Sequence, residues 1–129
     1  MRLILLFAAC SLAAAADHPD LNGTWQNAST GETITIRTTD DAVQIAQTGK
    51  EGTNIQCHTD GEACKIKGGQ VSAWYNGGML VVMETTHGSN RVVKKRFKPA
   101  ADGGLEEEVI HITPAGGTEK WILGRKSGS

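Results

Sequence analysis

Turn chemistry is the feature that most constrains this chain. It recurs from Gly31 to Gly117, and no segment between two such clusters is long enough to carry a crossover connection. Gly31, Asp40-Asp41, Gly49 to Gly52, Asp60-Gly61, Gly68-Gly69, Asn76-Gly77-Gly78, Gly88-Ser89, Asp102-Gly103-Gly104 and Gly116-Gly117 supply residue types that turns favour and that tolerate positive φ. Parallel strands need a connection of about a dozen residues, so segments joined this tightly must pair antiparallel with their neighbours. The segments read as strands: residues 33–37 and 42–47 alternate polar and apolar with period two. The stretches 23–27, 53–58, 63–67, 71–75, 79–86, 91–98, 105–113 and 119–124 share their apolar and β-branched content. The expectation is an all-β chain, an antiparallel up-and-down meander of about eight to ten short strands. Left flat, such a meander exposes two edges, so a barrel or strongly curved sheet is the economical form, with two packed sheets as the alternative.

The first residues have a different character. Arg2, the apolar run 3–9 and the small residues 13–16 form a signal peptide pattern over 1–16, with cleavage between Ala16 and Asp17. A single domain then spans 17–129, exported to a periplasmic or extracellular compartment. A second route is lipid anchoring through Cys10, since Phe7-Ala8-Ala9-Cys10 loosely resembles a lipoprotein box; Phe7 in place of the usual Leu counts against it. No later stretch approaches the roughly 20 apolar residues of a membrane-spanning helix. Lys and Arg number 13 against 14 Asp and Glu, a balance that argues against a nucleic-acid partner.

Removing the leader leaves Cys57 and Cys64, an even pair in a compartment where disulfides persist. Asp60-Gly61 at the centre of the intervening segment predicts a two-residue hairpin turn that sets Cys57 opposite Cys64, within bridging range. A metal site of Cys57, His58 and Cys64 is the alternative, although the spacing is not a C-x-x-C motif. Further along, the basic residues Lys94, Lys95, Arg96 and Lys98 precede the acidic run Glu106-Glu107-Glu108. If Lys98 faces Leu105, Arg96 faces Glu107 and Lys95 faces Glu108, giving a charge-registered hairpin in place of a docking patch.

The chain's ends carry a family resemblance. Leu21-Asn-Gly-Thr-Trp25 resembles the Gly-x-Trp opening of lipocalin and avidin-like barrels, and Arg125 follows the last strand, Trp121-Ile-Leu-Gly124. The resemblance implies that Trp25 closes one end of a barrel and that Arg125 lies against it. Gly23 to Asn27 followed by Gly31 is also similar to the first hairpin of avidin-type proteins, which brings in biotin as a minor ligand hypothesis. The later tryptophan-bearing strands of that family do not recur. Over its whole length the chain is similar to small exported bacterial proteins of lipocalin-like, calycin-type fold.

Taking Asn76-Gly77 and Gly88-Ser89 as two-residue turns gives the sheet two mixed faces. One carries Trp74, Met79, Val81, Met83, Val92, Lys94, Arg96, Glu107, Val109 and His111; the other includes Val71, Ala73, Tyr75, Leu80, Val82, Glu84, Val93, Lys95, Phe97, Ile110 and Ile112. Trp74, Met83, Arg96 and His111 are the candidate ligand-lining residues, suited to a small hydrophobic or amphipathic molecule in a barrel lumen. The opposing reading is an envelope-associated structural or interaction protein whose narrow barrel is filled by side chains. His111 in a strand and His87 at a turn raise haem or metal binding as a minor alternative, while His18 falls in an expected flexible tail beside the cleavage site. No cofactor or metal is expected. Ser72 and Ser89 lack a nucleophile elbow and the glutamates are accounted for by pairing, so the chain reads as a non-enzyme with no catalytic residues. Two sequons, Asn22-Gly-Thr24 and Asn27-Ala-Ser29, carry little weight in a chain with a bacterial type of leader.

Overall fold

The computed structural model describes residues 18–49, 54–88 and 90–126. The signal segment 1–16 and Cys10 lie outside the described residues. The alternating segments form ten strands: β1 (Gly23–Gln26), β2 (Thr33–Thr38), β3 (Ala42–Gln47), β4 (Asn54–His58), β5 (Cys64–Ile66), β6 (Gly69–Asn76), β7 (Met79–Thr86), β8 (Arg91–Pro99), β9 (Leu105–Thr113) and β10 (Gly117–Arg125). All pair antiparallel, in the spatial order β4-β3-β2-β1-β10-β9-β8-β7-β6-β5. The meander is thus joined end to end through β1 and β10, where Trp25 pairs with Arg125 and Gln26 with Gly124. Its two free edges fall at β4 and β5, in the middle of the sequence.

Those edges curl back on each other to form a nearly closed barrel. The seam is held by the Cys57–Cys64 disulfide, with Cα atoms 5.8 Å apart, by an isolated bridge between Asp60 and Trp74, and by the Gly61 amide donating to the Ala73 carbonyl at 3.0 Å. The cysteines pair as expected, but the two-residue hairpin does not form. Residues 59–63 leave β4 and reach across to β6, so β4 and β5 share no ladder. The disulfide therefore spans the gap that the sheet leaves open. His18, expected in a flexible tail, stacks on the Tyr75 ring with centroids 4.0 Å apart at the same end of the barrel.

Side-chain alternation places Ile34, Ile36, Val43, Ile45, Ile55, Cys57, Val71, Ala73, Leu80, Val82, Phe97, Leu105 and Leu123 in one buried cluster with Leu21 and Trp25. The lower half of the lumen is packed solid. At its floor the Trp25 indole donates to the Leu21 carbonyl at 3.1 Å. The Arg125 guanidinium lies 4.3 Å above the Trp25 ring and donates to the Asn22 carbonyl at 3.2 Å. Gly23 holds φ +145°, a conformation that favours glycine, and a Cβ there would displace that guanidinium.

One register differs from the sequence expectation. β8 and β9 are joined by residues 100–104 and pair Pro99 with Leu105, Lys98 with Glu106, Phe97 with Glu107 and Arg96 with Glu108. The turn closes one residue tighter than expected because the Ala100 amide donates to Gly104 O at 2.9 Å and Gly103 N to Ala100 O at 3.3 Å. A slip of one residue exchanges the faces of a strand. Glu107, Val109 and His111 accordingly share the inner face with Lys95 and Phe97, and Ile110 and Ile112 turn outward. The basic and acidic runs still meet outside, as Arg96–Glu108 at 3.1 Å and Lys98–Glu106 at 3.4 Å.

Candidate functional site

Above the packed floor the upper half of the lumen is hollow. A cavity of about 310 Å³ opens there among Asn27, Glu32, Gln47, Lys95, Glu107, Val109, His111, Glu119 and Trp121, with Ile34 and Leu123 on the side of the packed floor. The opening follows from strand length. β1 ends at Gln26, so β10 has a partner on that side only at Gly124 and Arg125. Residues 117–123 are paired with β9 alone. The barrel wall is interrupted along this upper stretch of β10, beside the turn that runs through Asn27 and Thr30 to Glu32. Trp121, on the inner face of that strand, remains 37% exposed.

The polar groups within are unevenly satisfied. The Lys95 ammonium is spoken for: it lies 3.2 Å from Glu84 Oε2 and donates to Gln47 Oε1 at 3.4 Å. His111 Nε2 and Glu119 Oε1 are 3.2 Å apart at the rim. Glu107 lies between these pairs. It is only 5% exposed and lines the cavity, yet its carboxylate has no hydrogen bond or ion pair within 4 Å to any described residue. Burial pushes its pKa above the ordinary value of 4.5; Lys95 opposes the shift, and Glu32, Glu84 and Glu119 reinforce it. Among the described residues, no group of three or more His, Cys, Asp or Glu is arranged to hold a metal ion.

The residues anticipated as ligand-lining divide. His111 lies at the cavity. Trp74, Met83 and Arg96 sit on the outer face, because each alternates with a neighbour that points into the lumen: Ala73, Val82 and Lys95. Trp74 instead borders a shallow depression outside the floor, with Asp40, Asp41, His58 and Asp60. Trp25 and Arg125 meet at the floor, away from the opening. Sequence reasoning missed Glu32, Gln47, Glu119 and Trp121 as lining residues; it put Glu107 on one face with His111 but accounted for it by cross-strand pairing. The available signal was the strict parity of β10, where Glu119, Trp121 and Leu123 share one face.

Comparison with known proteins bears on the fold. No protein-family model matches the chain, and a search of the curated proteins finds no similar sequence. Among solved structures, an asparagine-to-alanine mutant of the fluorescent protein UnaG is similar, with a TM-score of 0.62 and 18% identity, over 84% of this chain and 97% of that one. The fold is that of a calycin-type barrel. At this identity the likeness speaks for the fold alone.

Proposed function

We propose that the protein is an exported, non-enzymatic carrier that holds a small amphipathic molecule in the upper half of its barrel. The supporting observation is the cavity itself: about 310 Å³ in a barrel short enough to have been filled by side chains, with apolar and polar groups together in its lining. Export is supported by the disulfide at the seam, a bond that lasts in oxidising compartments. Among the described residues no helix is long and apolar enough to cross a membrane.

The test uses N-phenyl-1-naphthylamine, a neutral dye that brightens in apolar surroundings. The full-length secreted protein is expected to bind it at micromolar concentration. Val109→Trp, which fills the lumen from an inward position, is expected to abolish binding while leaving the far-UV circular dichroism intact. Equal binding by both proteins, or none by the wild type, would defeat the carrier reading. The second outcome favours the interaction-protein alternative, for which the exposed Ile112 and Ile122 at 42% and 56% supply an apolar surface.

A further inference from the structure

We propose, building on the carrier reading, that the molecule held in the lumen is a cation: a protonated amine or an amidinium on a compact apolar body, with its charge seated on Glu107. Among the described residues, the cavity is lined or flanked by four carboxylates, Glu32, Glu84, Glu107 and Glu119, against one ammonium, Lys95. That ammonium is already committed to Glu84 and Gln47. His111 at the rim is hydrogen-bonded to Glu119, with Nε2 and Oε1 3.2 Å apart. What remains is the Glu107 carboxylate, facing the hollow, with no hydrogen bond or ion pair among the described residues and only the field of Lys95 to oppose its charge.

A buried carboxylate is costly unless it is paired and hydrogen-bonded. A ligand ammonium supplies both the opposite charge and up to three donors, so the free energy withheld in the empty protein is recovered on binding. A ligand carboxylate in the same place would meet Glu107 with like charge and could recruit Lys95 only by breaking its bond to Glu84. Trp121 adds a second contribution. Its ring borders the cavity and is only partly covered, a surface on which an aromatic body or a cation can lie. The outer face lacks this imbalance, since Arg96 and Lys98 each face a glutamate there.

The experiment compares three molecules with one aromatic body: 1-naphthylmethylamine, 1-naphthylmethanol and 1-naphthoic acid. Each displaces N-phenyl-1-naphthylamine from the wild-type protein at pH 7 and about 0.15 M salt, where longer-range surface fields are screened. The amine is expected to bind at least about tenfold more tightly than the alcohol, and the acid more weakly than either. Glu107→Gln should reduce the amine's advantage over the alcohol to less than about twofold, with the far-UV circular dichroism unchanged. Glu107→Asp, which keeps the charge, should retain the preference. An acid that binds as well as the amine, or a preference that survives Glu107→Gln, would overturn the assignment while the carrier reading stands. So would failure of all three to displace the dye. Failure of the dye itself to bind defeats the carrier reading, and this proposal with it.

Discussion

At the scale of single residues, Glu107 is where the chain departs from what stability alone would select. Its folded pKa lies above the unfolded value, so the folded protein binds the extra proton between the two. The group is therefore neutral in effect at low pH, below its ordinary value of 4.5, and its cost grows as pH rises through the raised value. Glu107→Gln removes that cost. The variant is expected to melt at a higher temperature than the wild type at pH 7, by the equivalent of about 1 kcal/mol, with the difference shrinking towards pH 4. Thermal denaturation across that range checks it, and a variant less stable at pH 7 would mean that Lys95 holds Glu107 more firmly than the geometry indicates. Arg125→Ala provides a contrast. Losing the stack on Trp25 and the bond to Asn22 is expected to cost about 1 to 2 kcal/mol, with dye binding unaffected because the floor lies away from the cavity.

At the scale of elements, the disulfide does work that would otherwise fall to a strand ladder. Between β4 and β5 there is no run of backbone pairing, only one bridge and one amide bond to β6. Replacing Cys57 and Cys64 together by alanine closes no loop in the unfolded chain, and for a sequence separation of 7 the loss is about 2.5 kcal/mol. A lower urea midpoint with a retained β spectrum is the expected result. How much of this was legible follows the same division. Strand existence was readable throughout, because turn residues and period-two alternation agree with one another. The cysteine pairing was readable as well, but not its setting, since Asp60-Gly61 looks like a hairpin turn and nothing local reveals that the segment reaches for Trp74. β9 is the instructive failure. Leu105, Val109 and His111 on one parity compete with Ile110 and Ile112 on the other, so its composition does not choose a face. The choice came from a turn that closes at Ala100 and Gly104, one residue from where charge matching placed it. Because the salt bridges survive either register, the charges could not correct the error. Glu107 was thereby accounted for by pairing with Arg96 and not counted among the lining residues, although it shared a face with His111.

At the scale of the whole molecule, the barrel divides into a packed lower half, fixed by Phe97, Leu80, Leu105 and Trp25, and an upper half left hollow beside the interrupted wall at β10. The arrangement of edges has a consequence for how such a barrel could be rewired. Every ladder but one joins strands adjacent in sequence. The exception, β1 with β10, brings Lys126 N within 2.8 Å of Thr24 O, so the ends of the domain already lie side by side. Linking residue 126 to residue 21 and cutting the chain within residues 59–63 would yield a permutant in which every paired strand follows its neighbour directly. Contact order would fall, and folding should accelerate relative to the natural order. The natural chain instead closes its longest loop through the middle of the sheet and holds the two outer strands together with sulfur.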